Sequence, residues 1–249
     1  MSIRRAVLLA AGRGTRLGAI TANYPKPLLE VGGRPLIAHI LDGLVAARVE
    51  AVTIVTGHFA DLLESELGNG KHAGIAIRYV RQERIEGTAR ALALARQFCG
   101  EEPFFFGWGD ILVRPENYVR VIGATRFADH VVAVNRVDDP ATGGAVYIED
   151  GNALERGESA RVIRLVEKPA AGTSMTHWNN AGFGVLGPAI WGEIDRLKPS
   201  ERGEYELPQA IAGLVDGGAE VRAVPVAGPW FDVGTPEDLE RARAEFGKR

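Results

Sequence analysis

A basic, glycine-containing turn follows the first apolar run of the chain, residues 6–11. The turn reads Gly12-Arg13-Gly14-Thr15-Arg16, and its glycines lack Cβ, so backbone N–H groups there can approach an anion closely. Lys26 follows between Pro25 and Pro27, which stiffen the backbone and direct the ammonium group. These residue types indicate a polyphosphate cradle, although a surface turn with solvated arginines has the same composition.

Two carboxylates have similar neighbours far apart in the chain. Asp110 follows an aromatic run at 103–108, and Asp232 follows two aromatic residues and precedes a glycine. Magnesium ions are typically held by one or two carboxylates together with substrate phosphates and water, and two carboxylates at strand ends fit that need. Taken alone, an aspartate at this place is more commonly a cap of the next element.

Other polar residues offer groups for a base and a sugar. The amide of Gln82 has enough donors and acceptors to read the edge of a nucleobase, and Gly87 would let a flat base lie against the backbone. Glu167 could accept hydrogen bonds from two sugar hydroxyls, and Lys168, stiffened by the following proline, could hold a phosphate. An exposed loop and a surface ion pair are the alternative interpretations.

The elements that must position these groups alternate between strand and helix in the first half of the chain. Strands are predicted at 6–11, 51–56, 75–80 and 103–108, and helices at 35–48, 61–67 and 88–98. This alternation is typical of an α/β fold with a doubly wound, mostly parallel, Rossmann-like central sheet. Ligands of such sheets bind beyond the carboxyl ends of the strands, so the basic turn and Asp110 are expected to share one cleft.

The second half predicts consecutive strands at 131–137, 145–149 and 162–167, with a turn at 150–152. We interpret these strands as a small antiparallel excursion from the sheet. A strand at 181–186, helices at 188–197 and 206–215, a strand at 221–226 and a closing helix at 236–246 follow. One catalytic domain spanning 1–249 is the simplest interpretation.

Composition excludes several classes of function. The 249 residues carry a net charge of −3, which gives no general attraction to nucleic acid or to an anionic membrane. A single cysteine, Cys99, excludes an intramolecular disulfide, and the five histidines show no metal-ligand spacing. We find no signal peptide and no apolar stretch of the roughly 20 residues that span a bilayer, so we expect a cytoplasmic protein. The glycine spacing fits neither the P-loop nor the dinucleotide fingerprint, which argues against a dinucleotide-dependent oxidoreductase.

The motifs together resemble those of the sugar-1-phosphate nucleotidylyltransferases. The resemblance rests on the turn 12–16 with Lys26-Pro27, on Gln82 with Gly87-Thr88-Ala89, on Glu167-Lys168-Pro169, and on the segment 202–207. It implies catalytic roles for Arg16, Lys26 and Asp110, and metal ligation of Mg²⁺ by Asp110 and Asp232. The nucleotide-binding residues that it implies are Leu9, Ala10, Ala11, Gly12, Gly14, Thr15, Arg16, Lys26, Gln82, Gly87 and Thr88. The implied sugar-phosphate-binding residues are Gly144, Glu167, Lys168 and Asn180, although Gly143 stands where the family usually has an aromatic residue.

The resemblance implies an enzyme that joins a nucleoside triphosphate to a sugar 1-phosphate and releases pyrophosphate. Gln82 is similar to the glutamine of members that use UTP or dTTP. A GTP- or CTP-using member, such as a mannose- or heptose-1-phosphate guanylyltransferase, and a non-catalytic nucleotide-sugar sensor are the alternatives. Because the chain stops at Arg249, we expect no C-terminal β-helix domain and no acyltransferase activity. A homo-oligomer is compatible with the resemblance, and the sequence does not identify the sugar.

Overall fold

A computed structural model describes residues 2–68 and 70–247. Its strands are β1 (Arg5–Leu9), β2 (Glu30–Val31), β3 (Arg34–Pro35), β4 (Ala51–Thr56), β5 (Lys71–His72), β6 (Ile75–Arg81), β7 (Phe104–Trp108), β8 (Ile111–Val113), β9 (His130–Arg136), β10 (Gly144–Ile148), β11 (Ala160–Glu167), β12 (Trp178–Leu186), β13 (Val221–Pro225) and β14 (Trp230–Asp232). Its α-helices are α1 (Leu36–Ala46), α2 (Ala60–Leu67), α3 (Thr88–Ala93), α4 (Arg96–Cys99), α5 (Glu116–Gly123), α6 (Gly151–Glu155), α7 (Ile190–Arg196), α8 (Leu207–Asp216) and α9 (Pro236–Phe246). Four 3₁₀ helices span Thr15–Thr21, Lys26–Leu28, Ala124–Arg126 and Pro140–Thr142.

Ten of these strands form one mixed sheet in the order β10-β11-β13-β9-β12-β7-β1-β4-β6-β5. Strands β7, β1, β4 and β6 are parallel, as the alternation of strand and helix predicts. Strand β12 runs antiparallel to both β7 and β9, and β10 and β11 are antiparallel to each other. The predicted α/β fold with a central sheet is confirmed, and the antiparallel strands continue that sheet.

Two apolar cores cover the two faces of the sheet. Strand β7 shows how one sequence supplies both, because successive side chains of a strand point to opposite faces. Phe105 packs in the core that includes residues of α1, α5 and α9, whereas Phe104 and Phe106 pack in the core that includes residues of α3, α7 and α8. All three phenylalanines are fully buried, so the sheet that positions the site is rigid.

Some boundaries differ from those predicted. The helix expected at 88–98 is interrupted between α3 and α4, where Leu94 and Ala95 donate hydrogen bonds three residues back instead of four. The turn expected at 150–152 begins α6, because the Asp150 carboxylate caps the Asn152 N–H at 3.0 Å. The strand expected at 181–186 begins at Trp178, and helix α5 was not predicted.

Cys99 is buried in the second core. Burial raises the pKa of its thiol to about 12, so the thiol stays protonated and unreactive at neutral pH. Among the described residues, none of the helices has the length and apolar character needed to cross a membrane.

Candidate active site

The basic turn begins where β1 ends. Gly14 has φ +65°, a left-handed conformation that glycine adopts without steric cost, and its carbonyl accepts a 2.8 Å hydrogen bond from the Thr21 hydroxyl. This bond closes the 3₁₀ helix Thr15–Thr21 back onto the turn. Lys26 opens the next 3₁₀ helix directly after an extended Pro25, and it is buried. The Thr21 hydrogen bond therefore holds the turn, and the extended Pro25 holds the backbone of Lys26.

Lys26 lies between the two carboxylates singled out in the sequence. Its Nζ is 2.6 Å from Asp110 Oδ2 and 3.6 Å from Asp232 Oδ1. Arg16 approaches the same group, with its guanidinium nitrogen 3.8 Å from Asp232 Oδ2. The two carboxylates and the two cations thus form one cluster beyond the carboxyl ends of β1 and β7, where α/β sheets bind ligands.

A two-stranded sheet brings the carboxylates together. Strand β14 pairs antiparallel with β8, which places Asp232 opposite Ile111. Beside this pair, the Val233 N–H donates to the Asp110 carbonyl at 3.1 Å. Two short strands therefore fix the distance between side chains that lie far apart in the chain.

The Asp232 carboxylate lies in a partly buried and strongly charged environment. Burial and, after it, the negative charge of Asp110 raise the pKa of the Asp232 carboxyl, whereas Lys26 and Arg16 oppose the rise. Its Oδ1 is buried and has no hydrogen-bond partner within the described part of the chain. Among the described residues, no group of three or more His, Cys, Asp or Glu side chains gathers there, so a metal ion held by these two carboxylates would take its other oxygen ligands from water or from a substrate.

A cleft of about 280 Å³ extends from this cluster. Its walls include Asp110 and all eleven residues expected to bind the nucleotide: Leu9, Ala10, Ala11, Gly12, Gly14, Thr15, Arg16, Lys26, Gln82, Gly87 and Thr88. The residues of the wall that sequence reasoning missed are Pro27, Ile85, Ala91, Trp108, Gly109 and Glu204. Of these, Trp108 and Gly109 adjoin the predicted Asp110, whereas Glu204 lies in a segment to which the sequence assigned no role.

The far end of the cleft is formed by the turn before α3. Gln82 is buried, and its Nε2 donates to the Gly87 carbonyl at 3.3 Å. Gly87 has φ +106°, and a Cβ built there would lie 2.4 Å from the Tyr205 carbonyl oxygen. Only glycine fits this position, because the chain passes directly against another backbone segment.

The residues expected to bind the sugar lie on adjacent strands outside this cavity. Gly144 of β10 pairs with Glu167 of β11, and a Cβ on Gly144 would approach Glu167 Oε2 to 3.0 Å. Asn180 of β12 uses Oδ1 to accept from the Gly182 N–H, while its buried Nδ2 finds no partner in residues 2–68 or 70–247. Lys168 has φ +45°, and its N–H donates to the Gly143 carbonyl.

Gly143, where the family usually has an aromatic residue, faces a crowded position. A Cβ there would lie 2.9 Å from Asn179 Nδ2.

Burial raises the pKa of the Glu167 carboxyl, and the charge of Glu206 raises it further, whereas Lys168 and Arg202 lower it. Two of the groups that act on Glu167 therefore come from the segment before α8.

A family model described as nucleotidyl transferase matches residues 5–249. The chain belongs to this family. The chain is 33% identical over 241 residues to UTP--glucose-1-phosphate uridylyltransferase AglF of Haloferax volcanii, covering 96% of this chain and 94% of the relative. It is 33% identical over 237 residues to a glucose-1-phosphate thymidylyltransferase of Streptomyces griseus, covering 94% of this chain and 64% of the relative. The predicted membership of the sugar-1-phosphate nucleotidylyltransferases is confirmed.

The chain also resembles a solved structure of UDP-glucose pyrophosphorylase complexed with UDP-glucose. The TM-score is 0.88 at 24% identity, covering 99% of this chain and 100% of the other, which supports the fold. The chain is also 32% identical over 242 residues to the bifunctional protein GlmU of Methanococcus maripaludis. The match covers 97% of this chain and 54% of the relative, so the chain spans about half the length of that relative.

Proposed function

We propose that this nucleotidyl transferase joins a nucleoside triphosphate, UTP or dTTP, to a sugar 1-phosphate and releases pyrophosphate. The observation that carries the proposal is the cluster of Arg16, Lys26, Asp110 and Asp232 at one end of a nucleotide-sized cleft. The names of the relatives, which act on glucose 1-phosphate, support the reaction class.

The reaction needs positioning and charge stabilisation and no nucleophile from the protein. An oxygen of the sugar 1-phosphate attacks the α-phosphorus in line, and the bond between the α-phosphorus and the bridging oxygen to the β-phosphate breaks. Pyrophosphate leaves with the bonding electrons, so negative charge grows on the β-phosphate. Preorganised cations and N–H groups near that oxygen lower the barrier.

The chain supplies those groups from the basic turn. The side chain of Arg16 is 68% exposed and is free to reach the β- and γ-phosphates. The backbone amides between Gly12 and Gly14 would hold the same phosphates. Lys26, which is buried and aimed by two prolines, would neutralise charge at the α-phosphate and the incoming phosphate.

Asp110 and Asp232 would hold Mg²⁺. The fit rests on their acidic oxygens and on the buried Oδ1 of Asp232, which has no hydrogen-bond partner among the described residues and only the Lys26 ammonium 3.6 Å away. The ion, when bound, would orient the α-phosphate and reduce repulsion between two polyanions.

Gln82 and Gly87 would select the base, and the sugar-side residues would hold the second substrate. Gln82 Nε2 donates a hydrogen bond to the Gly87 carbonyl. The Oε1 atom of the same amide would therefore accept a hydrogen bond from the N3–H of a uracil or thymine. Glu167 and the free Nδ2 of Asn180 would bind sugar hydroxyls, and Lys168 would hold the phosphate. The relatives named for UTP and for thymidylyl transfer support a pyrimidine.

The test is pyrophosphate release with Mg²⁺ across UTP, dTTP, GTP, CTP and ATP, each against a panel of sugar 1-phosphates. We expect release with UTP or dTTP and one sugar, and none after chelation of the metal. Preference for GTP or CTP would refute the base assignment and leave the reaction intact. Nucleotide binding without release for any pair would favour a non-catalytic sensor.

A further inference from the structure

The segment before α8 is a compact loop that we call the strap, residues 200–207. The Gly203 N–H donates to the Ser200 carbonyl at 2.8 Å, and the Ser200 N–H donates to the Glu204 carbonyl at 2.9 Å. Glu206 closes the loop, because its Oε1 accepts from the Ser200 hydroxyl at 2.9 Å and from the Arg202 guanidinium at 2.6 Å. Glu206 is 6% exposed, and the proposed reaction gives this buried carboxylate no task.

The strap is hydrogen-bonded to the turn that would read the base. The Tyr205 N–H donates to the Glu86 carbonyl at 2.8 Å, and the Ala89 N–H donates to the Tyr205 carbonyl at 2.9 Å. The Leu207 N–H donates to the Thr88 hydroxyl oxygen at 2.9 Å. Three bonds therefore join the two segments on both sides of Gly87.

These bonds determine how Gln82 is presented. Gly87 fits against Tyr205 only because it lacks a Cβ, and from that position its carbonyl accepts a 3.3 Å hydrogen bond from Gln82 Nε2. One N–H of the Gln82 amide is thereby used, which fixes the plane of the amide and the direction of Oε1. A displacement of Tyr205 would move Gly87 and rotate the amide.

The negative charge of Glu206 also affects the pKa of Glu167, the carboxyl expected to bind the sugar. The charged groups that act on Glu167 are Glu206, Lys168 and Arg202. Glu206 adds to the effect of burial, which raises the pKa of the Glu167 carboxyl, whereas Lys168 and Arg202 reduce the rise. The same side chain therefore shapes the strap beside the base-reading turn and contributes to the raised pKa of the Glu167 carboxyl.

We propose that Glu206 is a positioning residue that couples the strap to base selection, because its bonds to Ser200 and Arg202 hold the strap in the shape that packs against the base-reading turn. The proposal rests on the proposed function. It predicts that Glu206 influences the choice of base, although it does not line the nucleotide cleft. A purely structural carboxylate would change stability and leave base selection and pH dependence untouched.

The test compares Glu206→Gln with wild type and with Glu193→Gln. Glu193 is the matched control, because it is a partly buried glutamate that pairs with an arginine, Arg196, on the neighbouring helix α7. In Glu206→Gln we expect the preference for the best nucleotide over a nucleotide of the other base class to fall about tenfold, equivalent to about 1.4 kcal/mol. We expect the acidic limb of the kcat/KM profile for the sugar 1-phosphate to move to lower pH, because a negative charge near Glu167 is lost. Glu193→Gln should change neither.

A double-mutant cycle with Gln82→Ala isolates the coupling. If Glu206 acts through Gln82, the loss of base preference in the double variant should equal the loss in Gln82→Ala alone. Additive losses, or a Glu206→Gln variant with the base preference and pH profile of wild type, would overturn the proposal. If Glu206→Gln does not fold, Ser200→Ala removes one of the two bonds to the carboxylate and should give a smaller loss of preference; an unchanged preference would again contradict it.

The binding constants of UTP and GTP, measured by calorimetry without a sugar phosphate, separate this proposal from the reaction. Wild type that releases no pyrophosphate refutes the reaction, whereas a Kd ratio that changes in Glu206→Gln still supports the coupling to the base. Active wild type with an unchanged Kd ratio in Glu206→Gln refutes the coupling alone.

Discussion

Replacement of Lys26 by Met should change two measured quantities in opposite directions. The ammonium lies 2.6 Å from Asp110 and 3.6 Å from Asp232, where it neutralises the carboxylates that would hold the metal. A cation that binds to both carboxylates must therefore compete with Lys26 for them. Methionine keeps the length and the apolar stem of the side chain and removes the charge, so metal affinity should rise while turnover falls.

The magnitude follows from Coulomb's law with a discount for solvent. Two unit charges about 4 Å apart attract by about 4 kcal/mol at an effective dielectric constant near 20. Exposure of 26% for the Asp110 side chain and 39% for Asp232 weakens this attraction. After screening, and because the lysine can turn to substrate phosphate, we expect a net effect of about 1–2 kcal/mol, or roughly 5- to 30-fold tighter metal binding. Turnover should fall at least ~100-fold, as it does when one aligned electrostatic group is lost.

The assay combines Mn²⁺ titration of the substrate-free protein with pyrophosphate release at saturating metal. Lys168→Met is the control, because it removes a lysine that forms no ion pair with Asp110 or Asp232 in the part of the chain that the structure describes. We expect it to raise the KM for the sugar 1-phosphate and to leave the Mn²⁺ affinity unchanged. Mn²⁺ affinity that falls or stays constant in Lys26→Met would refute the competition, and near-normal turnover would refute the catalytic assignment of the lysine.

Three further predictions concern packing and electrostatics. Trp230→Phe removes the 2.9 Å hydrogen bond from the indole N–H to the Ala181 carbonyl and should cost about 1–2 kcal/mol of unfolding free energy. Trp191→Phe should cost less, because Trp191 Nε1 has no hydrogen-bond partner in the described residues. Equal losses in urea denaturation would contradict this. Gly87→Ala places a methyl group 2.4 Å from the Tyr205 carbonyl oxygen, at a backbone position with φ +106°. It should cost about 2–4 kcal/mol of unfolding free energy and weaken UTP binding measured by calorimetry. A variant as stable as wild type would show that the strap moves to accept the methyl group. The pKa of the Glu167 carboxyl is raised above its ordinary 4.5, so the contribution of Glu167 to stability is present at low pH and lost as the pH rises through the raised pKa. Near pH ~7, Glu167→Gln should therefore unfold at a higher urea concentration than wild type. Near pH ~4, the two proteins should unfold at the same urea concentration.

The sequence predicted the parallel half of the sheet well because its signals are local. Strands β1, β4 and β7 are short apolar runs, β6 alternates, and a glycine or proline adjoins at least one end of β4, β6 and β7. The basic turn and Asp110 follow two such strands, so their closeness could be inferred from the fold class alone. All the residues that the resemblance assigned to the nucleotide line a single cleft.

Other features depend on tertiary pairing that no local pattern records. Strands β8 and β14 have three residues each, too few to show an alternation, so Asp110 and Asp232 could be paired only through their similar neighbours and the resemblance, and not through these strands. Asn179 and Asn180 suggest a turn by composition, but ladder bonds to β9 draw them into β12. The strap matched a family segment, yet its contact with Gly87 depends on backbone atoms, which carry no sequence signal.

The central place of β12 has a consequence for the growing chain. Until residues 178–186 emerge from the ribosome, β7 is an edge strand with one unpaired row of N–H and C=O groups and three consecutive phenylalanines. Such an edge is a template for pairing with another molecule. Strand β12 covers it and at the same time connects it to β9, so the early half of the sheet becomes safe from aggregation only when a late segment is inserted. A truncation before Trp178 would therefore release an association-prone fragment rather than a smaller, well-behaved domain.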